Sequence, residues 1–280
     1  MGYIINIFLF LLFIPSLSFS QIWDIGAWGG IANYQGDLNP LLNMRFSKPA
    51  YGGLVRYNFN PVLSARGSFS HGNILASDAL FDGWQKNRNL NFKSKITEIS
   101  SLVEFNFKPF IAGDHKKNIT SYLFTGFAVF RFNPVTQLNG AQVNLQRFGT
   151  EGQGSEYYPE RNKYLSVSFA IPIGGGVKIS ISKHWSFALE TGARRTFTDY
   201  LDDVSTAYPN IELIGQKQDG NTAIALSNRS INNTNSNLVS EHQRGNSKNK
   251  DWYFFSGIML VYNFKTGKCG KAFQEGYKWD

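Results

Sequence analysis

Residues 94–107 read SKITEISSLVEFNF, a stretch in which apolar and polar side chains alternate. Ile99 and Phe105 occupy one set of alternate positions, and Glu98 and Glu104 occupy the other. Because successive side chains of a strand point to opposite faces, this spacing predicts a β-strand with one apolar and one polar face.

Seven further segments of the chain show the same period of two. They span about residues 23–32, 50–59, 62–71, 119–132, 164–181, 184–197 and 252–264. In the segment 119–132 the pattern predicts that Tyr122, Phe124 and Phe130 share the apolar outer face. In the segment 164–181 we expect Pro172 to cause a bend or a bulge, because proline cannot donate to a strand ladder.

The connections between these eight segments alternate between short and long. The short ones are Asn60-Pro61, residues 108–118 and Ser182-Lys183, and the long ones are residues 33–49, 72–93, 133–163 and 198–251. Aromatic side chains also collect next to the short connections, as in an interfacial girdle. This layout predicts an all-β fold, an eight-stranded antiparallel outer-membrane barrel with short periplasmic turns and long extracellular loops.

The composition excludes several other classes of protein. Of the 280 residues, 42% are hydrophobic and only 17% are charged, which is unlike a disordered chain or a coiled coil. The net charge of +8 is spread along the chain without a zinc-finger or phosphate-loop pattern, so we do not expect nucleic-acid binding. A basic surface is compatible with anionic lipids of the outer membrane.

The first twenty residues contain an apolar run from Ile4 to Phe19 that is shorter than a transmembrane helix requires. We interpret it as a signal peptide and expect the mature chain to begin at Gln21. The predicted organisation is a signal peptide over residues 1–20, a barrel over residues 21–264 and a periplasmic C-terminal tail over residues 265–280.

Charged residues are expected on the faces that point into the barrel. This predicted set consists of Arg56, Arg66, Glu98, Glu104, Arg131, Glu190 and Arg194. The interior of an eight-stranded barrel is filled by side chains, and buried charges persist when they are paired. We therefore expect an ion-pair network that plugs the lumen rather than an ion pathway.

The sequence does not favour an enzyme. Ser70 and His71 are adjacent on a predicted strand, so their side chains point to opposite faces and are poorly placed as nucleophile and base. The other histidines, His115, His184 and His242, lack the spacing of metal ligands. We expect no cofactor and no metal.

The predicted tail combines basic and aromatic residues with the single cysteine of the chain. These candidate docking residues are Cys269, Lys268, Lys271, Phe273, Tyr277 and Trp279. Aromatic anchors with basic neighbours suit contact with a partner protein. An unpaired cysteine in an exported protein suggests an intermolecular disulfide, and an inert thiol in a disordered remnant is the alternative.

Several motifs together resemble the PorG-like outer-membrane proteins of the type IX secretion system. They are residues 29–40 (GGIANYQGDLNP), 55–61 (VRYNFNP), 88–94 (RNLNFKS), 96–107 with EFNF at its end, and 174–178 (GGGVK). The resemblance implies a barrel that contacts a periplasmic ring, built from a lipoprotein and its partner subunit. It further implies a role in protein export and in gliding motility. The alternative function is a small outer-membrane channel or a solute-binding barrel.

Overall fold

A computed structural model describes residues 22–216, 219–231 and 242–264 of the chain. The predicted signal peptide and the predicted C-terminal tail lie outside the described residues. The described strands are β1 (Ile22–Gln35), β2 (Lys48–Asn58), β3 (Leu63–Ser77), β4 (Asn91–Asn106), β5 (Ile119–Arg131), β6 (Pro134–Leu138), β7 (Ala141–Asn144), β8 (Val167–Ser180), β9 (Trp185–Thr196) and β10 (Trp252–Asn263).

Eight of these strands form a closed antiparallel barrel in the order β1, β2, β3, β4, β5, β8, β9, β10. The ring is completed by β1 and β10, which pair from Asp24 opposite Asn263 to Gln35 opposite Trp252. The hairpin of β6 and β7 extends from β4 beyond the barrel. These pairings confirm the predicted fold class, and closure leaves the barrel without a free strand edge.

The two ends of the barrel differ in their connections. The tight-turn end carries residues 59–62, 107–118 and 181–184, and the loop end carries residues 36–47, 78–90 and 132–166 and the described part of residues 197–251. The described part of the loop end also contains four short helices and two 3₁₀ turns. These are α1 (Gly83–Arg88), α2 (Leu145–Phe148), α3 (Ile211–Gly215), α4 (Gly220–Ser227) and the turns Met44–Phe46 and Asp78–Leu80.

The outward side chains of the barrel form an exposed apolar band. It includes Ile25, Val55, Phe69, Ile99, Val103, Leu123, Phe127, Val177, Leu189 and Ile258. Aromatic rings gather at the tight-turn end, where Trp23 packs against Tyr57 and Trp185 against Tyr262. An apolar exterior with an aromatic girdle is the surface that a membrane-spanning barrel presents to lipid. Among the described residues no helix is long and apolar enough to cross a membrane.

The predicted orientation of β5 is wrong. Tyr122, Phe124 and Phe130 are buried inside the barrel, whereas Leu123 and Val129 face outward. Both faces of this strand carry large apolar residues. The alternation therefore shows which residues share a face, but it does not show which face contacts lipid. The inward rings fill the centre of the barrel instead of contributing to the girdle.

Strand β8 passes through Pro172 without a bulge. Its pairing with β5 includes Thr125 opposite Ile173 and Ala128 opposite Ala170, so the register is the same on both sides of the proline. The expected bulge is therefore absent. The inward-facing Gly174 provides space for a ring of β5, because a Cβ atom there would lie 2.4 Å from Phe124 Cζ.

Candidate functional site

The barrel interior contains six of the seven predicted lumen charges, all of them buried. They are Arg56, Arg66, Glu98, Glu104, Glu190 and Arg194. These side chains project inward from β2, β3, β4 and β9. Inward and outward positions alternate along a strand, so the alternation of polar and apolar residues in the sequence is sufficient to place these charges on the inward face.

Glu104 is the centre of the network at the tight-turn side. Its carboxylate accepts hydrogen bonds from Arg56 Nη2 and from Lys178 Nζ, each at 3.1 Å. Arg66 Nη1 lies 2.9 Å from Oε1 of the same carboxylate. Three cations from three strands therefore converge on one fully buried carboxylate.

Glu190 and Glu98 continue the network toward the loop end. Arg66 donates to both carboxylate oxygens of Glu190, at 2.7 and 3.0 Å, and Tyr122 Oη donates to Oε2 at 2.6 Å. Arg194 Nε donates to Glu98 Oε2 at 3.1 Å. A bidentate arginine fixes geometry as well as charge, so these contacts tie opposite walls of the barrel together.

Two charged members of the network were missed by the sequence analysis. Asp24 accepts hydrogen bonds from Asn58 Nδ2 and Asn263 Nδ2, each at 2.9 Å. Lys178 is buried and binds Glu104. Each residue lies an even number of positions from the other inward-facing residues of its strand. This alternation is the sequence feature that could have identified both of them.

Arg131 does not belong to the lumen network, and its predicted placement is wrong. It is the last residue of β5, where its side chain is exposed on the outer face. The error has the same origin as the inverted orientation of β5: once Tyr122 is placed inward, Arg131 must face outward, because it is an odd number of residues away.

The interior network is electrically balanced. Among the described residues of the barrel wall that are both inward-facing and buried, four cations (Arg56, Arg66, Lys178 and Arg194) face four carboxylates (Asp24, Glu98, Glu104 and Glu190). Two cavities beside them have volumes of about 20 and 40 Å³. These volumes admit a few water molecules at most, so the network fills the cross-section of the barrel.

The described parts of the long connections pack over the loop end, and we call them the loop plug. Tyr34 Oη, at the end of β1, donates to Asp202 Oδ2 at 2.6 Å and also lies 3.0 Å from Asp251 Oδ1. Arg244 Nη1 donates to Glu151 Oε1 at 2.9 Å, and Arg88 Nε donates to Asp78 Oδ2 at 2.7 Å. The first of these contacts joins the barrel wall to the loop 197–251, the second joins that loop to the loop 132–166, and the third lies within the loop 78–90.

The loop plug contains more buried carboxylates than arginines, and this excess perturbs their titration. Burial raises the pKa of Asp199 to about 7 and that of Asp203 to about 6. Burial and neighbouring carboxylates raise the pKa values of Asp202 and Asp251 well above the usual range. The protonated forms of these side chains are therefore favoured in the folded plug.

The sequence-predicted serine and histidine pair is separated by the barrel wall. Ser70 is buried inside, and His71 lies on the outer face with Nδ1 2.9 Å from Thr97 Oγ1. The candidate docking residues of the tail lie outside the described residues. The network and the plug thus give a filled lumen, and the described part of the chain provides no nucleophile and base at this position.

Solved structures similar to this chain include three bacterial barrels. The N-terminal β-barrel domain of OprF from Pseudomonas aeruginosa has 11% identity and a TM-score of 0.37, covering 88% of this chain and 98% of that chain. Ail of Yersinia pestis, in complex with the heparin analogue sucrose octasulfate, has 9% identity and a TM-score of 0.41, with coverages of 88% and 99%. The outer membrane protein OprG from Pseudomonas aeruginosa has 10% identity and a TM-score of 0.39, with coverages of 88% and 97%.

No curated protein matches this sequence significantly. A family model does match it, over residues 3–223, which is most of the chain. The closed barrel, its apolar exterior and its filled interior describe an outer-membrane β-barrel protein. By this match the chain belongs to the family described as "Domain of unknown function (DUF6089)".

Proposed function

We propose that this protein is a non-enzymatic outer-membrane component of the type IX protein secretion and gliding machinery, which anchors or positions the periplasmic ring. The observation that carries the proposal is the filled lumen: four cations and four carboxylates occupy the barrel, and the loops cover one end. A barrel filled in this way acts through its surfaces. The resemblance of the sequence motifs to PorG-like proteins is the reason for proposing the type IX secretion system in particular.

The tight-turn end offers a basic surface to a partner. Lys108, Lys116 and Lys183 are exposed there. The turn that presents Lys116 is braced, because Asp114 Oδ1 accepts hydrogen bonds from the backbone N–H groups of Lys116 and Lys117 at 2.8 and 2.9 Å. We propose that this end faces the periplasm and contacts an acidic surface of the ring lipoprotein or its partner subunit.

The C-terminal segment extends the proposed docking surface. Residues 265–280 include Lys268, Lys271, Phe273, Tyr277 and Trp279 beside Cys269. We propose that the basic and aromatic side chains dock on the ring and that the thiol forms an intermolecular disulfide. These contacts would add an anchor to the one made by the turns.

Co-purification from native membranes tests the docking proposal. The tagged wild type is expected to retain the periplasmic ring proteins, and loss of residues 265–280 or the double variant Lys116→Glu/Lys117→Glu is expected to reduce their recovery about tenfold or more. The matched control is Lys93→Glu/Lys95→Glu, which places the same charge change at the loop end. Equal recovery with all variants, or equal loss with the control, contradicts the proposal.

Non-reducing electrophoresis of the same membranes tests the thiol. A shifted band containing a periplasmic lipoprotein is expected for the wild type, and Cys269→Ser is expected to abolish it. If no adduct forms and secretion is unaffected by the substitution, the disulfide is excluded and the turns remain as the docking surface. Single-channel recordings in a lipid bilayer test the alternative function. A channel is expected to give conductance steps, and an anchoring protein with a filled lumen is not.

A further inference from the structure

A groove of about 1020 Å³ lies on the outer surface of the barrel at its loop end. Its floor is made by outward-facing side chains of three adjacent strands. Gln35 of β1 pairs with Trp252 of β10, and Trp252 pairs with Arg195 of β9, so the three side chains form one lateral row. The walls are loop segments, including Trp84 of α1.

Exposed cations line this groove. Arg195, Lys248 and Lys250 are exposed, and none of them forms a salt bridge with a residue in the described part of the chain. The Lys250 amine donates to Ser247 O at 3.1 Å, which leaves further donors of this ammonium available. The groove therefore presents a concentration of positive charge that no salt bridge within the described residues holds in place, although the buried Asp199 attracts Lys250.

The groove contains one carboxylate among its described lining residues, that of Asp37. Asp37 Oδ2 accepts a hydrogen bond from the backbone N–H of Asn246 at 2.9 Å, so it is engaged by the loop. Two further arginines of the lining, Arg88 and Arg244, are paired with Asp78 and Glu151. The excess of charge in the groove is consequently positive.

The height of the groove places it at a membrane interface. Trp252 and Tyr262 are ten residues apart on β10. This separation corresponds to about 33 Å along the strand and to about 25 Å along the membrane normal at a tilt of about 40°. Because the apolar band of such barrels is about 25 Å tall, Trp252 lies at the interface opposite the aromatic girdle.

Below the cations, the outer wall continues as a surface for acyl chains. Phe254 and Ile258 of β10 face outward beside Ala193 and Leu189 of β9. The polar Thr191 on this face is satisfied by a hydrogen bond of 2.6 Å with Ser256. A molecule seated in the groove thus meets cations and tryptophans at one end and an apolar wall at the other.

We propose that this groove binds a phosphorylated glycolipid of the outer leaflet. Its phosphates would bind Arg195, Lys248 and Lys250, its sugars would pack against Trp84 and Trp252, and its acyl chains would lie on the adjacent apolar wall. Continuity between the cationic groove and the lipid-facing wall favours a lipid over a free phosphate ion. This inference is independent of the proposed secretion role and requires only that the barrel lies in its membrane with its loop end at the outer leaflet.

The test compares lipid binding by the full-length protein and by two matched double variants in detergent micelles. The probes are diphosphorylated lipid A, phosphatidylethanolamine and inorganic pyrophosphate. Wild type is expected to bind lipid A more tightly than the other two probes, and Arg195→Gln/Lys250→Gln is expected to weaken lipid A binding about tenfold or more. The control Lys93→Gln/Lys95→Gln removes two outward-facing cations of β4 and is expected to retain wild-type affinity.

Three results would overturn the proposal. Unchanged lipid A binding by the groove variant would place the lipid elsewhere, and an equal loss in the control would indicate adsorption to general surface charge. Equal affinity for pyrophosphate would identify a free-anion site. The substituted side chains are exposed, and a melting curve of each variant by circular dichroism shows whether its barrel is intact.

Discussion

The barrel interior and the loop plug solve the same problem of buried charge in different ways. In the interior, four cations compensate four carboxylates, and Glu104 alone contacts Arg56, Arg66 and Lys178. In the plug, burial instead raises the pKa values of carboxylates such as Asp199, so that protonation removes part of the charge. Charge pairing depends little on pH, whereas protonation depends on it directly, so the two regions should respond differently to the same perturbations.

The largest expected effect comes from removing the centre of the interior network. Glu104→Gln leaves three buried cations without their shared carboxylate, and breaking a buried pair costs about 3–5 kcal/mol. We expect the free energy of unfolding in urea to fall by that amount. The control Glu156→Gln changes an exposed loop residue and should stay within about 0.5 kcal/mol of wild type. Equal stability of both variants would contradict the assigned role of Glu104.

A corresponding change in the plug should act locally. Arg244→Gln removes the cation that binds Glu151 at 2.9 Å, and we expect the loops to open while the barrel stays folded. Cleavage within residues 197–251 by a protease should accelerate roughly a hundredfold, which corresponds to about 3 kcal/mol. The control is Arg147→Gln, because Arg147 forms an exposed pair with Asp219. A drop in barrel stability as large as that of Glu104→Gln would show that the two regions unfold together.

The pH dependence should separate the regions further. A carboxyl whose pKa is about 7 in the plug and about 4 in the unfolded chain holds a proton in the folded state that the unfolded state lacks, so plug stability falls as the pH rises between these values. We therefore expect faster hydrogen exchange of the plug at pH 8 than at pH 5, after correction for intrinsic rates. Asp199→Asn should weaken this dependence, and the exposed Asp82→Asn should not. An unchanged pH profile in Asp199→Asn would assign the effect to other groups.

The smallest effect is expected on the outer face of the barrel. Arg131→Gln should change the free energy of unfolding by about 0.5 kcal/mol or less, because its side chain is exposed. Arg194→Gln should cost several times more, because Arg194 is buried and donates to Glu98. If urea unfolding shows a similar decrease in the free energy of unfolding for the two variants, the outward placement of Arg131 is contradicted.

The sequence predicted the strands and most interior charges because alternation directly encodes which side chains share a face. It failed for β5, where Tyr122 and Phe124 on one face and Leu123 and Phe127 on the other are equally apolar. The hydrogen bond from Tyr122 to Glu190 shows that this face lies inside the barrel. Local patterns carry no information about such a contact, which joins residues 68 positions apart.

The contacts of the loop plug could not be predicted from local sequence patterns for a related reason. Tyr34 and Asp202 are 168 residues apart, and the loop segments have no common period. The groove is similar, since its row of Gln35, Trp252 and Arg195 exists only after β1, β10 and β9 have paired. Sites assembled by ring closure become visible only when the order and register of the strands are known.

The pairing of β1 with β10 also constrains how the protein can be assembled. Asp24 meets Asn263 across a separation of 239 residues, so the first strand finds its second neighbour only when the last strand arrives. Until then both β1 and β9 expose unpaired edges, which are prone to pairing with other chains. Closure of the ring therefore waits for β10, and until then those two edges are the part of the barrel that has to be kept from other chains.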